Sequence, residues 1–218
     1  MALSAIIMLG GDEPKYYAAK KLERLSAAKP PPLLIAADQG AAHLLAHGLQ
    51  VDYLIGDADS LDPYLYDRLQ AGATKVIHLA RDKDELDGEA AYRLAKQIGA
   101  DEIHVFAAFS QMADYTLANL LLPLHNADQL IDTYFYSDIF YVRIIHPGAY
   151  TISEPADTRF SLLPLTAVSG LSLSGCRYPL RQAELQLGSS LGLSNFFRQN
   201  QIEISLQSGI MLLFVYIS

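Results

Sequence analysis

The residues Leu33-Leu34-Ile35-Ala36-Ala37-Asp38-Gln39-Gly40-Ala41 and, further on, Asp52-Tyr53-Leu54-Ile55-Gly56-Asp57-Ala58-Asp59-Ser60 decide the reading of the fold. Each stretch is a short apolar run that ends abruptly in an acidic turn. Runs this short, without an alternating polar face, read as β-strands buried on both sides of a sheet. Working outward, the same signal recurs at residues 5–9, 75–79 and 103–107. Helical patterns lie near 14–27, 40–47, 63–71, 85–98 and 114–124. Their punctuation is consistent: Asp62 can cap a helix with Pro63 at its first position and Gly72 beyond its end. Gly48 and Gly99 stop two others. Strand and helix in alternation predict a parallel sheet wrapped by helices.

Beyond about residue 128 the pattern changes. Short β runs at 133–136, 140–145, 159–163, 168–174, 184–187, 202–206 and 210–217 are separated by turn signals such as His146-Pro147-Gly148 and Gln207-Ser208-Gly209. Short strands with frequent turns predict an antiparallel sandwich or barrel. The fold class expected is therefore α/β followed by all-β, with domains at 1–127 and 128–218.

The chain has 218 residues and a net charge of −8. It lacks the basic face that a nucleic-acid protein needs to neutralise phosphates. A single cysteine, Cys176, excludes an internal disulfide and a multi-cysteine zinc site, and it suits a reducing, cytoplasmic setting. No run of about 18 apolar residues is present, so no membrane partner is expected. Residues 1–11 are apolar but lack a basic start, and read as a buried first strand rather than a signal peptide.

Ligands of parallel α/β sheets bind beyond the carboxyl ends of the strands. Three acidic clusters fall there: Asp38 after the second strand, Asp57 with Asp59 after the third, and Asp82-Lys83-Asp84-Glu85-Leu86-Asp87 after the fourth. In extended backbone, residues two apart share a face and lie roughly 6.6 Å apart, so Asp57 and Asp59 can address one ion. Magnesium suits such a pair, because it takes one or two carboxylates, several waters and substrate phosphates. The bland alternative is a set of turn and cap aspartates. Carboxylates gathered in one crevice repel one another, however, and a shared cation relieves the repulsion. Gly56 is expected to let the backbone approach a bulky ligand.

The segments 36–41 and 52–60 resemble the thiamine pyrophosphokinase family, whose pattern there is A-D-G-G-A followed by P-D-x-x-I-G-D-x-D-S. Asp82–Asp87 is similar to its D-K-D-x-T-D, and Asp114-Tyr115-Thr116-Leu117-Ala118-Asn119 to its D-H-x-L-A-N. Leu162-Leu163-Pro164-Leu165, Gly175-Cys176-Arg177-Tyr178-Pro179-Leu180 and Gly192-Leu193-Ser194-Asn195 match later landmarks in order. The resemblance implies an ATP- and metal-binding catalytic α/β domain joined to a β-sandwich that binds thiamine and dimerises. It implies a homodimer whose active site lies at the subunit interface. The implied reaction passes a pyrophosphoryl group from ATP to the thiamine hydroxyl and releases AMP. The implied catalytic residues are Asp38, Asp57, Asp59 and Asp87, of which Asp57, Asp59 and Asp87 hold Mg2+. Lys83, Asp84 and Asp114 would contact ATP, and Ser194 and Asn195 the thiamine pyrimidine.

Two departures stand out. Where the family carries Gly-Gly-Arg before an Asp-His pair, this chain reads Ser110-Gln111-Met112-Ala113-Asp114-Tyr115, and Gln39 replaces a glycine. The missing arginine and histidine leave open an alternative, a catalytically weak or inactive relative that binds thiamine or its diphosphate. Tyr134, Tyr136, Tyr141 and Tyr150 are candidates for the subunit interface, where tyrosine is enriched.

Overall fold

The computed structural model describes residues 3–57, 61–79, 85–124 and 131–217. They form two compact units, Met1–Asp138 and Ile139–Ser218. The first holds strands β1 (Ser4–Met8), β2 (Leu33–Ala37), β3 (Tyr53–Gly56), β4 (Lys75–His78), β5 (Glu102–Phe106) and β6 (Asp132–Tyr136). Its helices are α1 (Tyr17–Ser26), α2 (Gly40–Ala46), α3 (Pro63–Gln70), α4 (Asp87–Ile98) and α5 (Ala113–Leu121). The six strands are parallel in the order β6-β5-β1-β2-β3-β4. The chain starts mid-sheet at β1, winds outward to β4, and returns to β5 on the other flank of β1. That reversal opens a crevice at the carboxyl ends of β1 and β5, where doubly wound sheets bind ligands.

Local chemistry sets the element ends. The Asp62 carboxylate accepts from the Leu65 amide at 3.1 Å, with Pro63 in the first turn of α3. Gly99 ends α4 at φ 88°, a left-handed cap that a side chain disfavours. Residues Ala5 to Met8 of β1 are wholly buried, as continuous apolar runs of a parallel sheet must be. Tyr92 of α4 is buried and shares a 2.7 Å hydrogen bond with Thr133 of β6; burial pushes its phenol up to about 12. No helix among the described residues is long and apolar enough to cross a membrane.

The last strand of this unit departs from expectation. Residues 133–136 were expected among the antiparallel runs, but β6 pairs parallel to β5, Glu102 opposite Asp132 through Phe106 opposite Tyr136. Its alternating Thr-Tyr-Phe-Tyr composition resembles an antiparallel strand, whereas its direction is fixed by the α5 crossover before it. The first unit accordingly runs to Asp138, past the expected boundary at 127/128. Tyr136 belongs to the interior of this unit, stacked at 4.8 Å on Phe106 and hydrogen-bonded to His104 Nδ1 at 3.1 Å. In α1 the N-cap residue, Tyr16, makes no side-chain cap of its own. The Asp138 carboxylate instead accepts from the amides of Lys15, Tyr16 and Ala18 at 3.1, 2.9 and 3.0 Å.

The second unit is a sandwich of two antiparallel sheets. Its strands are β7 (Phe140–Ile145), β8 (Gly148–Ser153), β9 (Arg159–Pro164), β10 (Val168–Ser174), β11 (Leu180–Leu185), β12 (Asn195–Phe196), β13 (Gln201–Leu206) and β14 (Met211–Tyr216). One sheet runs β12-β9-β14-β7 and the other β11-β10-β13-β8. Alternate residues of both fill the core, with Phe160, Leu162, Leu213 and Val215 from the first and Leu171, Leu173, Ile202 and Ile204 from the second. Strand β8 was not expected, because Gly148-Ala149-Tyr150-Thr151-Ile152-Ser153 buries only Ile152. A strand expected at 184–187 lies instead at Leu180–Leu185, as β11, and its pairing with β10 is broken by register shifts.

Candidate active site

Beyond β1, β2 and β5 lies a cavity of about 240 Å³. Its walls come from the loops after these strands (Leu9 to Gly11, Ala37 to Gln39, Ala108 and Ser110), from α4 and from α5. The loops after β1 and β5 are zipped together. The Gly11 amide donates to Ala107 at 2.9 Å and the Asp12 amide to Phe109 at 2.8 Å. A Cβ on Gly11 would come within 2.4 Å of both carbonyl oxygens, so only glycine fits. Gly10 and Gly11 were not among the expected site residues, although a Gly-Gly pair directly after the first strand is a legible signal. Asn119, at the end of the motif that opens with Asp114, had no expected role. It lines the cavity and donates through Nδ2 to the Ala108 carbonyl at 2.9 Å.

Asp38 is the first acid of the site. It adopts φ 43°, the unusual backbone angle of this turn, while Gln39 keeps ordinary helical angles. The glycine absent at position 39 is therefore not required for the turn. The Asp38 amide donates to Ile55 at 3.0 Å, tying the end of β2 to β3. Its carboxylate occupies the space where a side chain on Gly56 would start, since a Cβ built there lies 1.7 Å from Asp38 Oδ1. The close approach that Gly56 permits is thus to Asp38. Asp57 follows directly, half-buried at the end of β3.

Asp87 opens α4 and lines the same cavity as Asp38. The residues at the N-caps of α4 and α5, Leu86 and Met112, have extended backbones and supply no side-chain cap. Both first turns contribute to the cavity wall, and the backbone amides of a helix start attract phosphate. Asp114 is exposed and accepts from the Tyr115 amide at 3.0 Å, so its carboxylate serves the turn of its own helix. Met112 and Tyr115, which stand in place of the arginine and histidine of the resemblance, are exposed on the cavity rim together with Leu86.

Asp59, Lys83 and Asp84 lie outside the described residues. Among the described residues, no group of three or more His, Cys, Asp or Glu side chains is close enough to enclose a metal ion. Two carboxylates, Asp38 and Asp87, face one cavity with helix amides beside them. Hard oxygen donors in that number fit magnesium, which leaves most of its coordination to water and phosphate.

In the second unit Ser194 and Asn195 stand at the start of β12. Ser194 is exposed at φ 54°. Asn195 is buried and its amide is committed to the backbone: Oδ1 accepts from Tyr178 at 3.0 Å and from Phe196 at 2.9 Å, and Nδ2 donates to the Tyr178 carbonyl at 2.8 Å. Burial pushes the nearby Cys176 thiol up from its ordinary value.

A doubly wound α/β unit with a carboxylate-lined cavity at its switch point, followed by a β-sandwich, defines a two-part class of protein. Two family models match it. The thiamin pyrophosphokinase catalytic domain covers residues 26–135, and the thiamin pyrophosphokinase vitamin B1 binding domain covers 149–211. The chain belongs to the thiamin pyrophosphokinase family. Thiamine pyrophosphokinase from Bacillus subtilis is 27% identical over 183 residues, spanning 83% of this chain and 86% of that protein. The crystal structure of thiamine pyrophosphokinase from Bacillus subtilis superposes with a TM-score of 0.85 at 24% identity and covers 99% of each chain. Thiamin pyrophosphokinase from Candida albicans, at 17% identity, gives 0.79 over 99% of this chain and 90% of that one. The fold is the same across this range of sequence.

Proposed function

We propose that ATP binds in the cavity beyond β1, β2 and β5, and that the family reaction is carried out there. In that reaction the thiamine hydroxyl oxygen attacks the β-phosphorus of ATP, the bond from that phosphorus to the bridging oxygen breaks, and AMP departs. One observation carries the reading: the Asp38 carboxylate is lodged against the backbone of Gly56 and faces the same cavity as Asp87. Asp38, Asp57, Asp59 and Asp87 are the acidic machinery, and Asp57, Asp59 and Asp87 hold Mg2+. When bound, the ion neutralises phosphate charge that these carboxylates would otherwise repel. Asp38 or Asp87 takes the hydroxyl proton. The first turns of α4 and α5 orient the phosphates through their amides, because pyrophosphoryl transfer depends on alignment more than on a strong base.

Lys83, Asp84 and Asp114 complete the ATP site. Ser194 contacts the thiamine pyrimidine through its hydroxyl, and Asn195 acts by fixing the backbone on either side of it. The first unit is the ATP- and metal-binding catalytic domain, and the second binds thiamine and dimerises. The chain works as a homodimer in the cytoplasm, with the active site at the subunit interface. Light scattering at micromolar concentration should give twice the chain mass.

The direct test incubates the protein with ATP, Mg2+ and thiamine and separates AMP and thiamine diphosphate by chromatography. Both products should form, chelation should stop them, and Asp38→Asn or Asp87→Asn should slow turnover by about a hundredfold or more. Near-normal turnover in both variants refutes the site. The exposed Met112 and Tyr115 favour a second reading, a thiamine-binding relative with little turnover, which binding without AMP release would establish.

A further inference from the structure

Ser194 of the second unit is held in a constrained posture. Ser194 sits at φ 54°, a conformation costly for a residue other than glycine and kept only where its surroundings enforce it. Three contacts enforce it. The Ser194 amide donates to Oγ of the buried Ser161 at 3.1 Å. The neighbouring Asn195 is pinned through its amide to Tyr178. Arg159 Nη2 donates to Ser194 Oγ at 2.9 Å.

Arg159 is itself well held. It lies directly across the β9–β12 pairing from Phe196, and its guanidinium stacks over the Tyr216 ring at 4.8 Å. Stacking of this kind fixes a planar cation in a way that a surface lysine is not fixed. An arginine has five N–H donors, no acceptor, and a charge that persists at any pH a protein survives. A serine hydroxyl has one proton and two lone pairs. With Arg159 donating into a lone pair, the Ser194 proton cannot point back along that bond. Among the described residues no acceptor takes that proton, and Ser194 is exposed. The hydroxyl is therefore offered outward as a donor, strengthened by the cation behind it.

We propose that Arg159 is a positioning residue that turns the Ser194 hydroxyl proton outward, so that the site reads a hydrogen-bond acceptor on its ligand. This rests on the reading above in which Ser194 contacts thiamine. The aminopyrimidine of thiamine carries two ring nitrogens that accept and one exocyclic amine that donates. Under this arrangement the Ser194 proton addresses a ring nitrogen. Selectivity for the ring nitrogen then depends on Arg159 acting through Ser194.

The test is calorimetric binding of thiamine, and of analogues in which either ring nitrogen is replaced by C–H, to the full chain and its variants. One analogue should bind about tenfold more weakly than thiamine to the natural chain, the worth of one charge-assisted hydrogen bond. Ser194→Ala should weaken thiamine about tenfold and erase the difference between thiamine and that analogue. Arg159→Ala should also erase it, and the Arg159→Ala/Ser194→Ala pair should be no worse than either alone. Arg159→Lys, still a pure donor, should restore part of the discrimination. Arg159→Gln should not, because its carbonyl can accept the Ser194 proton and turn it inward. The lysine and glutamine variants keep the test valid if alanine unfolds the β9–β12 pairing. Discrimination that persists in Arg159→Ala and Arg159→Gln but vanishes in Ser194→Ala overturns the proposal and leaves the thiamine site standing. Unaltered thiamine binding by Ser194→Ala removes the site assignment, and the proposal with it.

Discussion

Gly56→Ala should disable the enzyme out of proportion to its effect on stability. A methyl group at this position would start 1.7 Å from Asp38 Oδ1 and 2.5 Å from its carboxyl carbon, where ordinary contacts begin at 3.4 Å. The carboxylate must then swing away by more than about 1 Å, and misplacement on that scale costs on the order of a hundredfold in rate. Gly56 also sits at φ 146°, so alanine adds roughly 1–3 kcal/mol of backbone strain. In a protein of this size each kcal/mol lowers Tm by about 2–4 °C. Gly48→Ala is the matched control. Gly48 has φ 71°, yet a methyl group there would meet nothing within 4 Å, so strain is present without a clash. Release of AMP under saturating ATP, Mg2+ and thiamine gives kcat, and circular dichroism melting gives Tm. Both variants should melt earlier, and only Gly56→Ala should lose turnover by about a hundredfold. If Gly56→Ala keeps more than about a third of the natural kcat, the carboxylate of Asp38 is not held where the reaction needs it.

Asp138→Ala should leave the amides of Lys15, Tyr16 and Ala18 without their acceptor and cost about 1–2 kcal/mol, the usual worth of a helix cap, measurable by urea unfolding. Tyr92, whose folded pKa is raised to about 12 from 10.0, remains neutral in the folded chain while the unfolded chain ionises. Its contribution is complete below pH 10 and is lost as pH rises from 10 to 12; Tyr92→Phe should flatten that alkaline decline in stability. Introducing a guanidinium at the rim, through Met112→Arg with Tyr115→His, should raise kcat or lower KM for ATP, because a forked cation stabilises charge on the transferring phosphates. Unchanged kinetics would show that this rim does not meet the nucleotide.

Features encoded by neighbouring residues could be read from the chain alone. The α3 start at Asp62-Pro63 and the α4 stop at Gly99 depend on chemistry within a few positions, and both appear where expected. Strands β1, β2, β3 and β5 were legible because both faces are buried and their apolar runs are continuous. The acids Asp38 and Asp87 were visible as strand-end carboxylates, and the cavity brings these two together. What escaped the sequence was distant in it. The direction of β6, the Asp138 acceptor for α1, and the match between Asp38 and the missing Cβ of Gly56 each join residues far apart along the chain. Asn195 shows the same limit differently. A polar residue in a Ser-Asn pair suggests ligand contact, but the fold spends its amide on the Tyr178 backbone.

The acceptor that starts α1 sits at the very end of the first unit, and this governs how the polypeptide can be dissected or synthesised in stages. A fragment ending at residue 127 would lack both β6 and the carboxylate of Asp138, leaving a ragged first helix and β5 with only β1 beside it. A nascent chain on the ribosome faces the same deficit until residue 138 has emerged, however early its first strands are made. Cuts, tags or split-protein junctions therefore belong after Asp138, the last residue of the first unit.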